Sequence, residues 1–109
     1  MFCATVVYPW VDGKAVDADR YARDVAPRYA ALLGDNCLGY EVRVGRNSPG
    51  QPHPPYACLV SFWLSSAERF GASLGTPAMA ELMAEIRAFT DVEPIRQFDE
   101  VVLNTLGGK

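Results

Sequence analysis

The sequence predicts an α+β protomer of the ferredoxin-like kind, βαββαβ, built on a four-stranded antiparallel sheet. Three observations carry that reading. Two apolar stripes of helical period are each flanked by strand-like runs. Turn signals separate the runs at short intervals. The 109 residues leave room for a single domain (1–109), with no repeat and no linker to divide it.

The elements follow in order. Residues 2–9 are mostly β-branched or aromatic and close at Pro9, as a first strand should. Asp12-Gly13 is a turn signal, and Asp17 stands where an N-cap belongs. Asp19 falls in the first turn, where the helix dipole favours a carboxylate. Tyr21, Val25, Tyr29 and Leu32 or Leu33 form one apolar stripe, and Gly34 fits the position after the helix. Pro27 lies inside that pattern and removes a backbone donor, so a kink or break is expected near Arg23-Asp24.

Residues 37–46 alternate, with Leu38, Tyr40, Val42 and Val44 against Gly39, Glu41, Arg43 and Gly45, which predicts a strand with one polar face. The run from Asn47 to Pro55 is rich in Pro and Gly and reads as a loop. Tyr56 to Leu64 is apolar at nearly every position, a third strand covered on both faces. Ser65 and Glu68 have the spacing of a capping box. Ala67, Phe70 and Leu74 follow, Gly75 interrupts, and Thr76-Pro77 offers a fresh cap and first turn. Met79, Leu82, Met83 and Ile86 then recur at helical spacing until Thr90 and Asp91. Pro94 to Leu103 is the last strand, and Gly107-Gly108-Lys109 a frayed tail.

Right-handed crossovers would set the first and third strands in the middle of the sheet, with both helical regions on one face. The third strand carries Cys58, Val60, Phe62 and Leu64 on one side and Ala57, Leu59 and Trp63 on the other. One layer of helices covers only one of these. A second copy of the chain is the economical cover for the open face, giving a homodimer.

Composition narrows the function classes. A net charge of −3 and basic residues scattered along the chain argue against nucleic acid as a partner. No run approaches a membrane span, and the N-terminus lacks the basic start of a signal peptide, so a cytoplasmic protein with no membrane partner is expected. Cys3, Cys37 and Cys58 match no zinc spacing and read as reduced thiols in strands. His53, the single histidine, sits in a proline-rich loop and reads as solvated, so no metal and no haem is expected. Without a glycine-rich phosphate motif, no nucleotide cofactor is expected either.

The chain also resembles the EthD family. The resemblance rests on Tyr8-Pro9, Tyr21, Pro27, Gly39-Tyr40, Pro54-Pro55-Tyr56 and the run Phe89-Thr90-Asp91-Val92-Glu93-Pro94. It extends from about Val6 to Val101. It implies a dimeric α+β barrel, in which two ferredoxin-like sheets face one another. It further implies a small-molecule binding protein or a cofactor-independent enzyme acting on an apolar or aromatic ligand. Relatives in the wider superfamily are cyclases, dehydratases, isomerases, monooxygenases and dye-decolourising haem enzymes, and EthD itself is associated with ether degradation. One departure stands out. Where the family commonly has His-Met-Pro, this chain has Val25-Ala26-Pro27. That loss of an imidazole favours the alternative of a non-catalytic accessory or stabilising homodimer.

The candidate site residues follow from parity and from the resemblance. Thr5, Ser61 and Trp63 share the face away from the helices and are candidates to orient or wall a ligand. Backbone or water bonding for the hydroxyls, and interface packing for Trp63, are the structural alternatives. Tyr8 joins them as a ligand-binding candidate. Asp91 is the acid/base candidate if burial raises its pKa, against ordinary turn chemistry. Tyr21 is the second catalytic candidate, against a tyrosine of the helical core stripe.

Overall fold

The computed structural model describes residues 1–106, so the predicted tail Gly107-Gly108-Lys109 lies outside the described residues. Strand β1 (Phe2–Pro9) pairs antiparallel with β3 (Tyr56–Leu64) on one side and β4 (Ile95–Glu100) on the other. Strand β2 (Cys37–Val44) pairs with β3, so the order is β2-β3-β1-β4, with the first and third strands central as predicted.

The last strand is shorter than the expected Pro94–Leu103. Its pairing with β1 ends at Phe2, which faces Glu100, and beyond it Val101 N–H donates to Met1 O at 2.9 Å. Val102 and Leu103 beyond it are 96% and 81% exposed. In β2 the alternation is broken by a bulge. Cys37 faces Leu64 while Gly39 faces Trp63, leaving Leu38 without a partner and 57% exposed.

The first helical region is divided where Pro27 predicts. Helix α1 (Ala18–Arg20) leads into a π-helical turn, Tyr21–Val25, and then helix α2 (Ala26–Leu33). Pro27 has no N–H and its ring crowds the carbonyl four residues back. The turn before it widens, and Ala26 N–H reaches Tyr21 O instead of the usual carbonyl. Asp17 caps the start through Arg20 N–H at 3.0 Å, and Gly34 closes the end at φ 65°, a conformation that suits glycine.

Helices α3 (Ala67–Leu74) and α4 (Pro77–Phe89) also differ in detail from expectation. The cap of α3 is Ser66, which accepts from Arg69 N–H at 3.1 Å, and not Ser65 in a box with Glu68. Asn36 causes the shift. Its amide is fully buried; Oδ1 accepts from Ser65 Oγ at 2.9 Å and Ser66 N–H at 2.8 Å, and Nδ2 donates to Ser66 O at 3.1 Å. With Ser65 held by Asn36, the next serine takes the cap. Thr76 caps α4 as predicted, through Met79 N–H at 3.3 Å.

The core lies between the sheet and this single helical layer. Ala4, Tyr8, Cys58, Val60, Phe62 and Leu64 face Tyr21, Val25, Tyr29, Leu33, Met79, Leu82 and Ile86, all buried. Tyr29 stacks on Phe62 with centroids 4.4 Å apart. Each large apolar side chain buried here contributes about 1.5–3 kcal/mol. Outside the core, Arg28 forms a two-pronged pair with Glu85 at 3.0 and 2.5 Å, tying α2 to α4.

Among the described residues no helix covers the opposite face of the sheet. Register sets Glu41, Ser61, Thr5 and Gln97 in one row across the strands, and Arg43, Leu59, Val7 and Ile95 in the next. The open face is therefore banded, one polar row beside a mainly apolar one. No helix among the described residues is long and apolar enough to cross a membrane.

Candidate functional site

The candidate residues fall on two faces of the sheet. Thr5, Ser61 and Trp63 lie on the open face. Thr5 Oγ1 and Ser61 Oγ are 3.4 Å apart and partner each other, and Cys3 Sγ approaches Thr5 Oγ1 at 3.5 Å. Ser61 is 4% exposed, so its hydroxyl is satisfied inside the chain. Trp63 is half-buried. Tyr8 belongs with neither Thr5 nor Trp63, because its place in β1 turns it toward the helices, opposite Cys58.

There Tyr8 meets Tyr21. The two rings lie 5.3 Å apart, and their hydroxyls share a hydrogen bond. Tyr21 OH also lies 3.4 Å from Thr90 Oγ1, so three hydroxyls form a chain from the sheet to the end of α4. Tyr21 begins the π-helical turn, and the widened turn forced by Pro27 carries the phenol to this position. Desolvation pushes both phenols upward; for Tyr8 the bond to Tyr21 adds to the shift, whereas for Tyr21 the bonds to Thr90 and Tyr8 oppose it. Both stay neutral at physiological pH. The Tyr29 phenol is likewise pushed up to about 12 by burial.

Two spaces adjoin this chain of hydroxyls, and a third, larger one shares Val6, Tyr29, Met83 and Arg96 with the first. A void of about 20 Å³ lies among Tyr8, Tyr21, Val25, Tyr29, Phe62 and Ile86, room for one water by volume. A cavity of about 400 Å³ opens between α3, α4 and the β1–β4 edge, walled by Phe70, Leu74, Met79, Met83 and Phe98. A cleft of about 350 Å³ runs past Tyr8, Thr90, Asp91 and Glu93. Phe98 stacks on Phe70 at 5.4 Å and on Phe2 at 5.5 Å, which makes the cavity's far wall aromatic.

Asp91 borders the cleft, but it is exposed rather than buried, and its backbone carbonyl accepts from Lys14 Nζ at 3.2 Å. Val25, where the family's imidazole is expected, is 4% exposed and packs as a core residue in the wall of the small void. His53 is half-buried, not solvated as expected, because its ring stacks on Trp10 at 5.1 Å, while Nδ1 lies 2.9 Å from Pro54 O. Cys3, Cys37 and Cys58 are all free thiols, and burial pushes those of Cys37 and Cys58 upward. Among the described residues no cluster of His, Cys, Asp and Glu forms a metal-binding group.

Arg96 and Arg87 were not legible as site residues. Arg96 faces Val6 across the β1–β4 ladder and so projects to the helix side, where it borders all three spaces. Parity within β4 was the available signal, but the register that fixes it depends on pairing with β1. Thr90, a helix stop by its sequence position, joins the hydroxyl chain only through the fold.

No protein-family model matches the chain, and no curated protein matches it. Solved structures do. An EthD-like protein from Ralstonia eutropha is 31% identical, with 94% of this chain and 92% of that chain covered at a TM-score of 0.84. An EthD family protein from Bacillus halodurans is 13% identical, covering 93% and 98% at a TM-score of 0.73. SnoaB, a cofactor-independent oxygenase from Streptomyces nogalater, in a mutant form, shares the fold at 9% identity, with 96% and 95% covered and a TM-score of 0.65. On the Ralstonia likeness, which spans nearly the full length of both chains, this protein belongs to the EthD family.

Proposed function

We propose that this chain is a small-molecule binding protein or cofactor-independent enzyme that takes an apolar or aromatic ligand into the cavity between helices and sheet. The observation that carries the reading is the cavity of about 400 Å³ with apolar and aromatic walls. Its size is that of ordinary ligand pockets, and its few polar groups suit the task of fixing orientation. Tyr21, held by Tyr8 and Thr90, lies beside the adjoining void as a neutral proton donor. Asp91 at the rim of the cleft is the base in a catalytic version of this reading. A second copy covers the open sheet face, where Leu59, Val7 and Ile95 lie in one row. Ser61 and Trp63 then belong to the dimer interface, whereas Thr5 also lines the cavity and borders the ligand from β1.

Titration with 2-acetonaphthone, followed by intrinsic fluorescence and thermal shift, tests the cavity. Ala80 lines it from α4 and is itself exposed, so Ala80→Trp fills the space without removing a core contact. Wild type is expected to bind and Ala80→Trp to lose at least ten-fold in affinity. Equal binding by the two would reject the cavity as the site.

One observation favours a second reading, a non-catalytic accessory homodimer. No imidazole or carboxylate borders the void beside Tyr8 and Tyr21. Turnover of any substrate would reject it, and substrate-dependent oxygen uptake would select the monooxygenase form of the first reading.

A further inference from the structure

The charged groups around the large cavity are both arginines. Arg87 comes from the last turn of α4 and Arg96 from β4, and no carboxylate among the described residues lines the same space. Four ion pairs exist among the described residues, and neither arginine takes part in any of them. Arg87 makes no side-chain hydrogen bond among those residues, and Arg96 makes one weak contact, 3.8 Å to Met83 Sδ. A guanidinium has five N–H donors and matches a carboxylate in a two-pronged geometry. Two such groups of one sign, without partners at the mouth of an apolar cavity, are arranged for an anion that is missing from the chain itself. The contrast with the rest of the molecule is informative, because the chain as a whole carries a net charge of −3.

The neighbouring cleft differs. Arg87 and Arg96 reach it too, but Asp91 and Glu93 border it, so its charges balance. An acidic ligand is therefore drawn more strongly to the larger cavity than to the cleft. Arg96 alone borders all three spaces, so a ligand group bound to it lies at the junction leading to the hydroxyl chain of Tyr8 and Tyr21.

We infer that the ligand is an amphipathic organic acid: an apolar or aromatic body in the cavity, with an ionised carboxylate or comparably acidic oxygen held by Arg96 and assisted by Arg87. The inference rests on the cavity being a ligand site. It adds the chemical class of the head group and names the residue that selects it.

The test compares two probes of nearly equal size, 2-naphthoate and neutral 2-acetonaphthone, by calorimetry at low and high salt. Wild type is expected to prefer the anion by about ten-fold or more, since a guanidinium bonds a charged acceptor more strongly than a neutral one. That preference is expected to shrink with salt. Arg96→Met is expected to abolish it, read as the ratio of acid to ketone affinity within the variant, and Arg96→Lys to retain part of it, because lysine keeps the charge but not the fork. Equal binding of acid and ketone by wild type would overturn the head-group assignment and leave the cavity reading standing. An anion preference that survives Arg96→Met and Arg87→Met would overturn it as well. Binding of neither probe would remove both readings together.

Discussion

Removing one hydroxyl from the Tyr8–Tyr21 pair should cost more than its own bond. Tyr8 is 1% exposed, and its side-chain hydrogen-bond partner among the described residues is Tyr21. In Tyr21→Phe the Tyr8 hydroxyl stays buried without that partner, and Thr90 Oγ1 loses its neighbour at 3.4 Å. An orphaned buried hydroxyl costs about 1–3 kcal/mol, so we expect about 2 kcal/mol of lost stability. In Tyr8→Phe, Tyr21 keeps Thr90, and the expected loss is nearer 1 kcal/mol. The double variant removes both partners at once and leaves no orphaned phenol. Its cost should fall short of the sum of the single costs by about 1 kcal/mol, the coupling that contacting residues show. Urea unfolding of the four proteins at one fixed m-value measures this, and the single variants should also melt lower by about 4 °C per kcal/mol. Single costs that add to within about 0.3 kcal/mol would show the hydroxyls to be independent, and the reasoning from the shared bond would fail.

Further expectations concern the same framework. Alkali should weaken the fold: the buried Tyr8, Tyr21 and Tyr29 phenols are raised above the ordinary value of 10.0, so their contribution is whole below that pH and is lost as pH rises beyond it, where only the unfolded chain ionises. Circular dichroism between pH 9 and 12 reads this (about 1.4 kcal/mol for each pKa unit of difference), and the decline should be shallower in Tyr21→Phe; no change in slope would oppose the burial of that phenol. Asn36→Ala removes a buried amide that ties Ser65 and Ser66 to the end of α2, and should cost about 3 kcal/mol in urea unfolding; a cost below 1 kcal/mol would mean that water replaces the amide. Gly45→Ala would set a Cβ 2.0 Å from Tyr56 O, so the β2–β3 junction must shift at a cost of about 1–3 kcal/mol, and a neutral effect would contradict the close approach. Trp63→Glu places a charge on the open sheet face, and sedimentation is expected to give a dimer for wild type and a monomer for the variant; an unchanged mass would mean that this face is not the interface.

Much of the architecture was legible because it is set by local chemistry. The apolar run of Tyr56–Leu64, the Thr76-Pro77 start of α4, the Asp17 cap and the break before Pro27 depend on residues within one or two turns of each other. The likeness of scattered short motifs placed the chain in its family for the same reason. Where expectation missed, a distant partner had intervened. Buried Asn36, thirty residues away, moved the α3 cap from Ser65 to Ser66. Pairing with β1 ended β4 at Glu100, and a bulge took Leu38 out of the β2 stripe.

The site divides along the same line. Element order, the open sheet face and the presence of Tyr8, Tyr21 and Asp91 near element ends could be read from residue order alone. It took the folded chain to turn Tyr8 toward the helices to meet Tyr21, to let Thr5 and Ser61 satisfy each other on the far face, and to leave Asp91 exposed. Folding also brought Arg87 of α4 and Arg96 of β4 to one cavity. Register accounts for the difference. A strand's pattern fixes which residues share a face, but which face meets the helices, and which residue stands opposite, is set by pairing with strands remote in the chain.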